Sequence, residues 1–276
     1  MLRSLHTAVT GLQEFQQRVD VIGNNIANIN TVAYKGARAT SADSFSDTLQ
    51  GAVGNALQIG NGVATGTVSS VFTQGSLLQT NAPTDLAIAG QGFFTVRSPV
   101  TGEIYATRDG SFEVDSAGYL VTSGTRLRVQ GYSDAALAAR GDVRIDPTGA
   151  PAGVPAGARV ASYLIDGTGR VLVALDDGTH FTRGQVLLQQ FTSPQSLTKE
   201  GNNLFSNLAT AEPLALSVPP GSAGLGTIEA GYLEMSNVDL TGEFANLITA
   251  QRGFQANSRI VSTSDELLQE VINLKR

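Results

Sequence analysis

The chain contains no cysteine and no tryptophan. Without cysteine there can be no disulfide, no zinc–thiolate or iron–sulfur site and no thiol nucleophile. Histidine is nearly absent: His6 and His180 are the only two, too few for a multi-histidine metal cage within one copy. Charged residues make up only 15%, with 18 basic against 24 acidic side chains and a formal net charge of −6. That balance provides no basic face to neutralise phosphates, so neither nucleic acid nor an anionic membrane surface is an expected partner. The longest apolar runs are five residues, as at Val171–Leu175, far below the about 20 that a spanning helix needs. Residues 1–6 show no basic region, apolar run or small-residue cleavage site, so no cleaved secretory signal is expected. The 276 residues are enough for one or two domains with a real core.

Proline is missing from both ends, since all nine lie between Pro83 and Pro220. The ends are therefore free to be long helices, and the middle is not. Leu5, Leu12, Val19 and Ile26 are spaced by seven, and Ala8, Phe15, Ile22 and Ile29 follow three residues behind. Together they predict a heptad helix over 3–28, roughly 39 Å long, ending near Asn28 or Asn30 in a left-handed cap. Its other positions are mostly Ser, Thr, Gln and Asn; only Arg3, Glu14, Arg18 and Asp20 are charged among the first 30 residues. Few charges and many amides suit either an ordinary core helix or one packed on several sides by other protein. At the other end Leu240, Leu247, Phe254, Val261 and Leu268 repeat by seven, with Phe244 and Ile272 in a companion series that Gln251, Ser258 and Asp265 interrupt. A helix over 239–274 is predicted, capped by Asn237 or Asp239, with Lys275 and Arg276 at its negative end.

The middle reads as β structure, with short apolar stretches at Leu86–Ile88, Phe93–Val96, Phe112–Val114, Tyr119–Val121, Leu127–Val129, Val160–Ile165, Val171–Leu175 and Val186–Phe191. Asp109-Gly110, Asp166-Gly167 and Asp177-Gly178 are hairpin signals, and Gly149–Gly157 is a loop. The fold class is thus α+β. Long terminal helices form a discontinuous, coiled-coil-like unit, 1–30 with 239–276, around a β domain over 71–225. The intervening 31–70 and 226–238 are extended linkers.

Recognisable chemistry is scarce. Gly60-Asn61-Gly62 and Gly90-Gln91-Gly92 lack the third glycine and the helix of a dinucleotide site and read as turns. Asp109–Asp115 and Asp166–Asp177 lack the spaced ligands and closing Glu of a calcium loop. His180 follows a turn, with no nucleophile elbow in the sequence, and His6 falls on the first helix. No catalytic residue, metal or cofactor is expected.

Several segments carry a resemblance. Asn24-Asn25-Ile26-Ala27-Asn28, continuing through Thr31 to Tyr34-Lys35-Gly36, resembles the N-terminal signature of the bacterial flagellar rod and hook axial proteins. Asp85 to Phe94, with Gly90, Gly92 and Phe93, is similar to that family's core start, and Thr107-Arg108-Asp109-Gly110-Ser111-Phe112 to its next hairpin. Leu233 to Leu240, with Asn237, and Ala250-Gln251-Arg252-Gly253-Phe254 resemble its C-terminal signature. Residues 131–225 match only loosely. The resemblance implies a structural, self-assembling subunit of a helical tube, its terminal helices inside and its β domain outside, exported without a cleaved signal. It implies as partners other copies of the chain, flagellar rod and hook–filament junction proteins, and the hook cap and export apparatus. Lys35 to Gln58 is short, and the ending Val271–Arg276 is hook-like, so a hook subunit at the cell exterior is expected, with a distal rod subunit as the alternative. The reading from another class is a secreted β-domain enzyme or adhesin with helical arms.

Overall fold

The computed structural model describes residues 2–44, 46–49, 57–151, 158–213, 217–222 and 224–274. Part of the Gly149–Gly157 loop, and Lys275 and Arg276, lie outside the described residues. The chain divides into two compact units. The first comprises 1–29, 36–71 and 238–276, and the second 30–35 and 72–237. The class is α+β: a helix near each end and a mostly β middle. No helix among the described residues is long and apolar enough to cross a membrane.

In the first unit, helix α1 spans Leu2–Ala27 and helix α2 spans Leu240–Asn273. Asp239 caps α2, its side chain accepting the Thr241 N–H. The expected left-handed cap at Asn28 or Asn30 is not formed. Asn28 keeps a helical N–H bond to the Asn24 carbonyl, and its amide also donates to Asn24 Oδ1 at 2.8 Å. The left-handed residue is Ala33, at φ 56°. In the same unit Ala37–Asp43 pairs antiparallel with Val63–Ser70, with an irregularity at Thr40/Ser41, and Ser46–Leu49 pairs with Leu57–Gly60. Segments read as linkers from the sequence therefore hold paired strands.

The second unit is built on an antiparallel sheet. Its main path runs Val160–Ile165, Arg170–Leu175, His180–Val186, Arg128–Tyr132, Phe93–Arg97, Ile104–Thr107, Leu204–Ser206 and Thr198–Gly201. Two small ribbons join Thr227–Ala230 to Leu86–Ala89, and Tyr232–Glu234 to Leu77–Gln79. The main core takes alternate residues of these strands, such as Phe94, Val96, Val129, Val171 and Val173. A second cluster forms around Phe93, Phe191 and Phe205. Asp166-Gly167 and Asp177-Gly178 turn true hairpins, because the strands flanking each are paired. Asp109-Gly110 does not: Ile104–Thr107 pairs with Phe93–Arg97 and Leu204–Ser206, whereas Phe112–Val114 pairs with Leu120–Thr122. Gly110 is required for another reason. Its carbonyl accepts the Leu86 N–H, and a Cβ there would lie 1.6 Å from the Leu86 carbonyl oxygen.

Candidate functional site

Two places gather the residues singled out in the sequence. In the first unit, α1 and α2 meet through their smallest residues. A Cβ on Gly11 would lie 2.6 Å from Asn257 Nδ2, and one on Gly253 would lie 2.3 Å from the Phe15 ring. Gly11, which costs a lone helix about 1 kcal/mol relative to Ala, here permits close approach. Asn25 is buried and fixes three parts at once. Its amide pairs with both Ala37 N and Ala37 O, at 2.9 and 2.8 Å, and donates to Glu243 Oε1 at 3.1 Å. The side of α2 that meets α1 carries small and polar residues, Glu243, Gly253 and Asn257, and the two buried residues of α2, Ala250 and Ser264, stand one heptad to either side of Asn257. The periodic reading of large apolar residues missed them.

The large apolar residues are distributed unequally. Ala8 and Ile22 are buried; Leu5, Leu12, Phe15, Val19, Ile26, Ile29, Leu247, Val261 and Leu268 are half-buried. Leu240, Phe244, Phe254 and Ile272 are exposed, as are Ile248, Ile260, Leu267 and Val271. So much exposed apolar area on one helix is unusual for a helix that has found all its partners. Gln251 and Arg252 are also exposed, Arg252 donating to Gln255 Oε1 at 3.2 Å.

In the second unit, Lys35, Arg108 and Glu234 form a buried charge cluster. Glu234 is fully buried, and its Oε1 accepts Lys35 Nζ at 2.6 Å and Gly75 N at 2.9 Å. Its Oε2 accepts Arg108 Nη1 at 3.2 Å. Lys35 also donates to the Thr73 carbonyl at 2.8 Å, and Arg108 to the Gly90 carbonyl at 3.0 Å. The guanidinium sits 5.2 Å from the centre of the Phe93 ring. Burial lowers the pKa of Lys35 and of Arg108, and the Glu234 charge and hydrogen bonds work against that. The cluster thus joins the motif residues Lys35, Gly90 and Phe93 through Glu234 and Arg108. Those two were missed as site residues, although a glutamate in the apolar Tyr232–Glu234 strand was a readable signal.

The remaining motif residues are local anchors. Gly90 and Gly92 have φ of +124° and +130°, a region that favours glycine. Asp109 accepts the Ser111 N–H and hydroxyl at 3.0 and 2.7 Å, while burial raises its carboxyl above the usual range. Asn237 donates to Thr73 O and Oγ1 at 3.2 and 2.9 Å. Thr31 accepts the Tyr34 N–H through its carbonyl, and Gly36 accepts that of Val71. Among the described residues no group of three or more His, Cys, Asp or Glu is placed to hold a metal. His6 and His180 are both exposed.

Comparison with known proteins gives three family matches. Residues 5–35 match the flagella basal body rod protein model, 87–173 the flagellar hook protein FlgE/F/G D1 domain, and 229–274 the flagellar basal body rod FlgEFG protein C-terminal model. The chain is similar to the flagellar basal-body rod protein FlgG of Bacillus subtilis, at 39% identity over 284 residues covering all of both chains. It is 35% identical to FlgG of Borreliella burgdorferi over 288 residues, again covering both chains fully. The flagellar hook protein FlgE of Borreliella burgdorferi is 25% identical over 444 residues, also with full coverage of both.

Proposed function

The chain belongs to the flagellar rod and hook axial protein family, a family of structural flagellar components, and on that premise we propose that it is a rod subunit of the basal body. The observation that carries the choice is length together with identity. Rod relatives align end to end over little more than this chain's own 276 residues, whereas the hook relative needs 444 aligned positions. The hook reading drew on the short Lys35–Gln58 stretch and the ending Val271–Arg276; the rod alternative is better supported. In the rod, copies stack into a helical tube. The terminal helices form its inner, coiled-coil-like layer; of the residues named above, Leu240, Phe244, Phe254 and Ile272 are left exposed to meet neighbouring copies, the half-buried ones from Leu5 to Ile29 and at Leu247, Val261 and Leu268 complete the seam, and Ala8 and Ile22 are already buried within the copy. The exposed apolar residues of α2, spread round the helix, support this, because burial at about 25 cal/mol per Å² gives neighbouring copies a reason to cover them. The other partners are neighbouring rod and hook proteins and the export apparatus, with passage from the cell without a cleaved signal. Gold-labelled antibody on isolated hook–basal bodies tests the assignment. Label confined to the rod supports it; label along the hook overturns it.

A further inference from the structure

The second unit carries a cavity and an exposed apolar tip. The cavity is about 350 Å³, within the range that seats a small ligand or an inserted loop. Leu187, Phe191, Leu208 and Pro213 supply apolar walls, and Thr95 and Arg140 add polar groups. Thr95 is 6% exposed, and its Oγ1 has no hydrogen-bond partner among the described residues, so an incoming polar group has a site to meet. Arg140, exposed at the cavity, stacks 5.9 Å from the Tyr132 ring and makes no ion pair among the described residues.

The tip is Val100, 91% exposed in the turn that joins Phe93–Arg97 to Ile104–Thr107. Its turn is preformed. Ser98 N–H donates to Glu103 O, and Gly102 N–H to Ser98 O, both at 2.9 Å. Glu103, three residues on and exposed, is held by Thr101 Oγ1 and by Tyr105 OH at 3.2 and 2.8 Å. Glu103 makes no ion pair among the described residues, so the tip presents an apolar knob beside a fixed negative charge. The cavity presents an apolar hole beside an uncommitted positive one. Ile104 lines the cavity and pairs with Arg97 at the base of the turn.

We propose that the cavity receives the Val100 turn of a second copy, with Glu103 of that turn meeting Arg140 and its backbone satisfying Thr95. The inference rests on the axial-subunit reading and adds a contact between outer β domains. A tube repeats one screw operation from copy to copy, so within it the contact is head-to-tail and propagates rather than closing a pair.

Because the chain has no cysteine, disulfide trapping is specific. Val100→Cys with Ser217→Cys, a cavity-lining position, is expressed in place of the parent chain, and isolated basal bodies are oxidised. A ladder of dimers and larger species is expected on a non-reducing gel. A mixture of the two single variants should give dimers only. Arg140→Glu should cut the cross-linked yield at least fivefold, and adding Glu103→Arg should restore it. Basal bodies that contain the double-cysteine chain but give no ladder overturn the contact alone. Absence of the parent chain from basal bodies overturns the axial reading and the contact together.

Discussion

Removing Glu234 should damage the β unit more than any other single charge deletion at the Lys35–Arg108–Glu234 cluster. The cluster holds two cations and one anion, all nearly or fully inaccessible to solvent. Glu234→Gln leaves two buried positive charges facing each other, with only the Thr73 and Gly90 carbonyls and the Phe93 ring to offset them. Lys35→Met instead leaves a neutral Arg108–Glu234 pair. Breaking a buried pair by deleting one partner costs about 3–5 kcal/mol. At about 2–4 °C per kcal/mol for a domain of this size, Glu234→Gln should lower the β-unit melting temperature by roughly 6–20 °C. Lys35→Met should lower it by clearly less. Near-UV circular dichroism of the six tyrosines reads the transition. A Glu234→Gln variant within about 1 kcal/mol of the parent, or a Lys35→Met variant that melts lower, would show that charge imbalance is not what the cluster manages.

Phe15→Asp or Leu247→Asp should abolish tube assembly and leave β-unit melting unchanged, because an unpaired buried charge costs roughly several kcal/mol within the paired helices and where neighbouring copies meet them, outside the β unit; normal swimming by either variant would exclude the seam. Gly110→Ala should destabilise the β unit by about 3 kcal/mol, since its Cβ meets the Leu86 carbonyl; urea titration measures this. Asp142 and Asp146 titrate below the ordinary 3.8: burial pushes each up, but hydrogen bonds from Gln130, Arg128 and Arg97, and from Arg183 and Thr148, outweigh it. The unfolded chain therefore takes up protons first, so their stabilisation is complete above pH 3.8 and is lost as pH falls through the lower folded values. Asp146→Asn should flatten that acid limb of the stability curve. Limited proteolysis of monomer should trim the terminal helices and leave a core of about residues 72–237 with the 30–35 segment held to it; equal hydrogen-exchange protection of both ends in proven monomer would contradict this.

The helices were legible because proline is excluded from both ends and heptad spacing survives in single residues such as Leu12 and Leu247. Strands such as Phe93–Arg97 and Val160–Ile165 were legible because their apolar residues are contiguous and bounded by turn residues. Ala37–Asp43 and Val63–Ser70 were not, since they carry mostly Ala, Ser and Thr and lack the apolar alternation of a half-buried strand. The Asp109-Gly110 pair misled for a related reason: its glycine is needed for approach to Leu86 rather than for a turn, and both uses leave the same letter. The inward side of α2 was hidden because Ala250, Asn257 and Ser264 are selected for closeness, not for hydrophobicity. Glu234 and Arg108 were hidden because their pairing spans 126 residues of sequence.

A helical reconstruction of the tube formed by this chain, at a resolution that traces side chains, decides most directly. Expected is α1 and α2 of every copy against the central channel, with Phe244, Ile248 and Leu267 buried on neighbouring copies and the β units outside. Helices left exposed to solvent, or β units lining the channel, would contradict it.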